Sequence, residues 1–130
     1  MLSRDESATI SANVVDDALV ASLRAMPAAD RFSVAITEYE LRDFSLVDVN
    51  GSGCSKGTTL SRWAASRGLT PPEVMAVGDN LNDVEMLDFA GTSVVMGNAT
   101  DALKGRGYRL TGTNDEGGLA AAIRRYALKG

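Results

Sequence analysis

The segment VMAVGDNLNDVEML, residues 74 to 87, places carboxylates and amides directly after a short apolar run. Asp79 and Asp83 lie four positions apart, with Asn80 and Asn82 between them. The apolar run predicts a parallel strand buried on both faces, and ligands of parallel sheets bind at the carboxyl ends of the strands. Two carboxylates with few other protein ligands suit Mg²⁺, which prefers hard oxygens and keeps several waters. We therefore expect a magnesium site at Asp79 and Asp83, with the two asparagines adding hydrogen-bonding capacity.

A purely structural role is the competing interpretation of the same residues. Asn82 or Asp83 could simply cap the helix that follows, and Asp79 could shape the turn. Spacing alone leaves both interpretations open.

Lys56, in the segment GSGCSKGTTL, opens a predicted helix, where the helix dipole disfavours a cation. Beside a glycine-rich loop, its ammonium group could pair with a phosphate or with a reacting carboxylate. The alternative is an ordinary surface lysine.

Three further positions are expected to be structural. We predict that Cys54 is a small buried residue and that Trp63 belongs to the core. The segment NDEGG, residues 114 to 118, predicts a capped helix start with a tight turn, and it could instead line a site.

Composition narrows the classes of function. The 130-residue chain is 45% hydrophobic and 23% charged with a net charge of −4, as expected of one globular domain without a nucleic-acid or anionic-membrane partner. It contains no histidine, which excludes Ser-His-Asp and Cys-His mechanisms and imidazole zinc sites. The single cysteine, Cys54, cannot form an internal disulfide, so we expect a reducing cytoplasm.

The elements that must position these residues fall into two regions with different periodicity. The first predicts one helix, at 14–26, and two strands, at 31–39 and 44–50, which the short turn between them makes antiparallel. The second alternates helices and strands, which predicts a parallel sheet with right-handed crossovers. Its predicted elements are a helix at 56–67, strands at 74–78, 93–96 and 108–111, and helices at 83–90, 99–105 and 115–128.

Four ordered blocks of sequence resemble the C-terminal half of a haloacid dehalogenase (HAD) superfamily phosphatase, closest to the Cof-like sugar-phosphate phosphatases of subfamily IIB. The blocks are CSKGTTL, GDNLNDVEML, AGTSVVMGNATDALK and LTGTNDEGGLAAAI. The resemblance covers about residues 30 to 130. It implies an α/β fold: residues 51–130 would form a parallel Rossmann-like half-sheet of the core, and residues 1–50 the remnant of an α/β cap made of a helix and an antiparallel hairpin.

The resemblance also implies a role for each site residue. In the family, an aspartate nucleophile takes the phosphoryl group, a second aspartate two residues later is general acid and base, and Mg²⁺ neutralises the developing charge. Asp79 would be a metal ligand, and Asp83 would help to hold the metal directly or through water. Lys56 would steady the nucleophile and the phosphate charge, and Asn82 would face the phosphate. The implied substrate is a small phosphorylated compound.

The family's nucleophile motif, Asp-x-Asp-Gly-Thr/Val, belongs upstream of the whole cap and does not occur in this sequence. Asp48-x-Asn50-Gly51 imitates it, but the Asn50 amide cannot replace the general acid. We therefore expect the chain to be a piece of a larger phosphatase, without turnover of its own.

Two other hypotheses remain. The chain could be a non-catalytic metal-binding or interaction module that has kept the half-site. A flavodoxin-like receiver or nucleotide binder would fit the alternation, but the sequence has neither a Gly-x-Gly-x-x-Gly loop nor a Walker lysine motif.

A core without its first strand leaves sheet edges open, and open edges pair with other chains. We therefore predict self-association, in the simplest case a dimer. Size-exclusion chromatography over a range of concentrations measures this directly, and a monomer at every concentration would contradict it.

Overall fold

The computed structural model describes residues 7–12, 17–27, 29–39 and 45–128. The chain divides into two compact units, Met1–Ser55 and Lys56–Gly130. The assignment of residues 1–50 to a cap remnant and of residues 51–130 to a half-core stays a prediction.

The first unit contains a three-stranded antiparallel sheet in the order β1-β3-β2. Its strands are β1 (Ser7–Ala12), β2 (Phe32–Glu38) and β3 (Ser45–Gly51), and its helix is α1 (Asp17–Arg24). The antiparallel strand pair and the helix are confirmed. Residues 14–16 of the predicted helix and the predicted turn at 40–43 lie outside the described residues. Sequence reasoning missed β1, because SATISA is short and mostly small or polar, and pairing with β3 supplies what its composition lacks.

Strand β3 is the centre of this sheet and alternates strictly between a buried and a half-buried face. Asp48 lies on the half-buried face in the middle of the strand, opposite Thr9 of β1 and Ala35 of β2. It is therefore a mid-strand residue of an antiparallel sheet, not the residue that closes a parallel strand as the family's nucleophile motif requires.

The second unit contains a three-stranded parallel sheet in the order β4-β5-β6, as the alternation predicts. Its strands are β4 (Met75–Gly78), β5 (Thr92–Val95) and β6 (Arg109–Leu110). Its helices are α2 (Lys56–Ser66), α3 (Val84–Phe89), α4 (Asp101–Lys104) and α5 (Gly118–Ala122), the last of which continues as one π-helical turn, Ile123–Ala127. An α/β fold with a parallel sheet and a separate antiparallel hairpin is thereby confirmed.

One apolar cluster holds the second unit together, and Leu87 of α3 and Leu103 of α4 are its largest fully buried side chains next to the sheet. The strands run in register so that Gly78, Val95 and Leu110 lie side by side. The carboxyl ends of the three strands therefore meet at one edge of the sheet, where the polar loops begin. Within the described residues, β4 and β6 are edge strands, and the predicted self-association stays a prediction.

Two predictions about buried residues are wrong. Trp63 is 50% exposed, with the Arg67 guanidinium 5.8 Å from the centre of its ring, and Cys54 is also exposed. Helix α2 buries its small residues, Gly57 and Ala64, so it lies close to its neighbours and leaves the large indole at the flank of the contact. No helix of the described residues is long and apolar enough to cross a membrane.

The turn before β4 follows its sequence signal. The backbone N–H and the hydroxyl of Thr70 donate to the Glu73 carboxylate at 2.8 and 2.9 Å, around the 3₁₀ turn Pro71–Glu73. These hydrogen bonds to the charged form lower the pKa of Glu73. The signal TPPE therefore correctly locates the start of the segment that leads into the sheet.

Tyr108 gives the fold a measurable pH dependence. Burial and then its hydrogen bond to the Asp88 carboxylate raise the pKa of Tyr108 from 10.0 to about 12. Because the fold favours the neutral phenol, the stabilisation is fully present below pH 10.0 and is lost as the pH rises towards about 12. In a spectrophotometric titration, one of the three tyrosines should ionise late, and Tyr108→Phe should remove that late step. A late step that survives in Tyr108→Phe would contradict this assignment.

Candidate functional site

The polar segment after β4 forms a tight turn at the carboxyl edge of the parallel sheet. Strand β4 ends at Gly78, Asp79 follows with an exposed side chain, and the 3₁₀ turn Leu81–Asp83 leads directly into α3. Asp79 therefore lies where ligands of open parallel sheets bind.

The Asp83 carboxylate turns back into this loop. One of its oxygens accepts the backbone N–H groups of Asp79 at 3.0 Å and Asn80 at 3.2 Å. The side chain of Asn80 accepts the N–H of Leu81 at 2.8 Å. Asn80 and Asp83 therefore cap the 3₁₀ turn Leu81–Asp83. The alternative that Asn82 or Asp83 caps the helix that follows is wrong in this form, because Asp83 occupies the N-cap position of α3 without a side-chain capping hydrogen bond. Asp83 is 3% exposed, so these hydrogen bonds offset the cost of burying its charge.

Lys56 completes the environment of that buried carboxylate. Its Nζ lies 2.5 Å from the second oxygen of Asp83, while Asn82 Oδ1 is 3.5 Å away, at the outer limit of a hydrogen bond. The Lys56 side chain is 51% exposed and that of Asp83 is 4% exposed. One end of the ion pair thus remains in solvent, and Lys56 is not an unpaired surface lysine. The structure brings Lys56, Asn82 and Asp83 together, and the roles predicted for them stay predictions.

Two glycines make this arrangement possible. A Cβ on Gly57 would lie 2.5 Å from the Cβ of Glu85, so α2 can approach α3 closely only because Gly57 has no side chain. A Cβ on Gly78 would lie 2.6 Å from the Cβ of Asp83 and 2.9 Å from its Oδ2. Gly78 therefore leaves the space in which the Asp83 carboxylate lies.

A cavity of about 610 Å³ opens at this edge of the second unit. Its charged residues are Lys56, Asp79 and Asp83, and much of the remaining wall is apolar. The other residues that line it are Val77, Gly78, Met86, Met96, Asn114, Gly117 and Leu119. Pockets of roughly 300–1,000 Å³ hold small organic molecules, so this one has room for more than a phosphoryl group.

The loop that precedes α5 lines the cavity through Asn114 and Gly117. The Glu116 carboxylate accepts the backbone N–H of Thr113 at 2.9 Å and its hydroxyl at 3.0 Å, and these hydrogen bonds lower the pKa of Glu116. The residue at the helix N-cap is Gly117, at φ +71°, and no side chain caps the helix there. The predicted turn is present, but the predicted side-chain cap is wrong. TNDE repeats the Thr-x-x-Glu pattern of TPPE, which could have located this turn from sequence.

The donor set fits magnesium in type. No group of three or more histidine, cysteine, aspartate or glutamate residues is placed to hold a metal among the residues described. Within the same residues, no hydrogen bond to the Asp79 carboxylate occurs, whereas both oxygens of Asp83 already accept hydrogen bonds. Mg²⁺ is commonly held by one or two carboxylates, with water and substrate phosphate completing its shell. Asp79 is therefore the candidate for a direct metal ligand. Asp83 is better placed to orient Asp79 than to bind the metal itself.

The three-stranded parallel sheet with its flanking helices makes the second unit an α/β structure, a class whose ligands commonly bind beyond the carboxyl ends of the strands. The model of the haloacid dehalogenase-like hydrolases matches residues 23–123, so the chain belongs to that family. The resemblance found in its sequence blocks is confirmed.

Two of the similar relatives are named as phosphatases, and both are longer than this chain. The pyridoxal phosphate phosphatase YbhA of Escherichia coli is 44% identical over 77 residues, which are 59% of this chain and 28% of YbhA. The 5-amino-6-(5-phospho-D-ribitylamino)uracil phosphatase YcsE of Bacillus subtilis is 43% identical over 82 residues, 63% of this chain and 33% of YcsE.

Solved structures show the same fold. A haloacid dehalogenase-like hydrolase from B. subtilis superposes with a TM-score of 0.73 at 30% identity, covering 91% of this chain and 40% of that one. The subclass IIB sugar phosphatase BT4131 gives a TM-score of 0.71 at 22% identity, over 92% of this chain and 43% of its own. The chain thus spans less than half the length of each of these relatives.

Gly78→Ala tests how the site is built. The new methyl group must displace the Asp83 carboxylate, so we expect a loss of about 1–3 kcal/mol in the free energy of unfolding. Amide hydrogen exchange at Asp79 and Asn80 should accelerate, because both N–H groups lose their acceptor.

Gly105→Ala is the matched control, since the nearest atom to its new Cβ would be 3.4 Å away and its φ is −69°. It should leave both measurements unchanged or stabilise the fold by up to about 1 kcal/mol. Equal effects of the two substitutions would contradict the proposed crowding at Gly78.

Proposed function

We propose that this chain supplies the metal and lysine half of the active site of a Mg²⁺-dependent phosphatase that hydrolyses small phosphomonoesters such as sugar phosphates. The carrying observation is the Lys56–Asp83 ion pair beside the exposed Asp79, at the carboxyl edge of the parallel sheet of a haloacid dehalogenase-like hydrolase. The phosphatase names of the relatives support the reaction type.

Each residue has a distinct task in this proposal. Asp79 binds the metal, and bound Mg²⁺ neutralises charge on the transferring phosphoryl group. Asp83 fixes the Asp79 turn through two backbone N–H groups and holds the Lys56 ammonium at the cavity wall. Lys56 attracts the phosphate oxygens, and the Asn82 amide donates to them.

The nucleophile in this proposal comes from outside these residues. Asp48 lies mid-strand in an antiparallel sheet and has no general acid two residues later, because that position is Asn50. We therefore propose that the chain alone binds metal and phosphate without turning over a phosphomonoester.

We propose a cytoplasmic location, because the single cysteine cannot form an internal disulfide and the chain therefore needs no oxidising compartment. Fractionation that finds the protein in an oxidising compartment would contradict it.

Asp79→Asn tests the metal site. Titration of the chain with Mg²⁺, followed by NMR of the loop amides, should show binding that Asp79→Asn weakens about tenfold or more, because a carboxylate ligand becomes a neutral amide. Asp101→Asn removes an exposed carboxylate that does not line the cavity, and it should bind Mg²⁺ like the unchanged chain. Equal weakening of Mg²⁺ binding in both variants would mean that the overall negative charge attracts Mg²⁺ and that Asp79 does not bind it specifically.

An assay with an aryl phosphate, with Mg²⁺ and with chelator, tests the proposed lack of turnover. Mg²⁺-dependent turnover that Asp79→Asn abolishes would require a nucleophile within these residues, and Asp48→Asn would be the next variant to assay. Mg²⁺ binding without any binding of phosphate would favour the alternative, a non-catalytic metal-binding module.

A further inference from the structure

The loop between β6 and α5 presents one amide side chain to the cavity, that of Asn114. Within the described part of the chain, no hydrogen bond to this side chain occurs, although its backbone N–H is bonded. A primary amide can both donate and accept hydrogen bonds, so it can recognise a hydroxyl or carbonyl group. Asn114 thus offers a neutral polar group to a cavity whose wall is largely apolar.

The backbone of Asn114 is held in place by the neighbouring loop after β5. Asn98 Oδ1 accepts the Asn114 N–H at 2.8 Å, and the Gly97 N–H donates to the Gly112 carbonyl at 3.0 Å. A Cβ on Gly97 would lie 2.9 Å from the Thr113 nitrogen, so the two loops touch through their backbones. A third constraint is the pair of hydrogen bonds from Thr113 to Glu116 within the loop. Asn114 is therefore presented by a fixed backbone.

The charges that line the cavity indicate which part of a ligand the Asn114 amide would contact. Among the described residues that line the cavity, Lys56 is the one cation, and it is already paired with Asp83, while Asp79 is a second carboxylate. A divalent cation and one phosphate dianion would leave no positive charge for a second anionic group. The rest of the ligand is then uncharged, with an apolar side against Val77, Met96 and Leu119 and a polar edge for the amide.

We propose that Asn114 is a specificity-determining residue that hydrogen-bonds the uncharged, hydroxyl-bearing organic part of a phosphomonoester, and that Asn98 is the positioning residue that fixes it. This inference rests on the proposed function, because it needs a phosphate held at the Lys56 and Asp79 end. It adds a part of the site outside the lysine and aspartate motifs.

The test compares two ligands on the complete chain with Mg²⁺ present: glucose 6-phosphate, which has the organic part, and inorganic phosphate, which lacks it. NMR titrations give the affinity of each. Asn114→Ala should weaken binding of glucose 6-phosphate by about three- to tenfold, as expected for one hydrogen bond, and leave binding of inorganic phosphate unchanged. Asp115→Ala is the control, because Asp115 is the exposed neighbour and does not line the cavity.

Asn98 is tested by rescue. Asn98→Ala removes the acceptor of the Asn114 N–H and should reduce the preference for glucose 6-phosphate, whereas Asn98→Asp keeps an acceptor oxygen and should restore it. A merely structural role would instead lower the affinity for both ligands in both variants, together with the melting temperature.

The outcomes separate the two proposals. An unchanged ratio of the two affinities in Asn114→Ala overturns the inference and leaves the proposed phosphatase half-site standing. If the chain binds neither ligand, or if Lys56→Gln does not weaken binding of inorganic phosphate, the proposed function fails and the inference fails with it.

Discussion

The buried carboxylate of Asp83 is the constraint on which the site depends. A carboxylate that is 3% exposed is costly unless its charge is balanced and its oxygens are hydrogen-bonded. Two backbone N–H groups and the Lys56 ammonium meet that demand, and they fix two different segments of the chain. The N–H groups close the loop after β4, and the lysine ties the start of α2 to the same point. One buried charge therefore joins two sequence blocks that lie 27 residues apart.

In this arrangement Asp79 and Asp83, which look equivalent in sequence, have different environments. Asp83 is committed to the protein, because both of its oxygens already accept hydrogen bonds. Asp79 is exposed at the edge of the sheet and lines the cavity, so it remains available to a ligand. A carboxylate held in this way can orient the loop that presents Asp79, the proposed metal ligand, which is how outer residues commonly tune metal sites.

Sequence reasoning recovered the second unit in detail because its signals are local. Apolar runs, turn residues and glycines located β4, β5, α2 and α3 close to their observed bounds. It failed where a partner decides the outcome. Strand β1 has little strand propensity of its own and exists by pairing with β3. Trp63 has the helical spacing of a core residue, but α2 packs through Gly57 and Ala64 and leaves the indole 50% exposed. The burial of a side chain depends on which residues lie opposite the helix. The spacing of residues along one helix does not carry that information.

The same division holds at the site. The residue types and order of Lys56, Asp79, Asn82 and Asp83 predicted magnesium and phosphate, and that chemistry stays a prediction. The signals for it are local: hard oxygens, one cation and the end of a parallel strand. Only the tertiary structure decided that Asp83 is the buried partner of Lys56, that Asn80 caps the turn, and that Asn114 belongs to the same cavity. Those facts depend on side-chain direction and on the meeting of loops after different strands. Elements distant in sequence share one edge because parallel strands end together, and that juxtaposition is a property of the folded sheet.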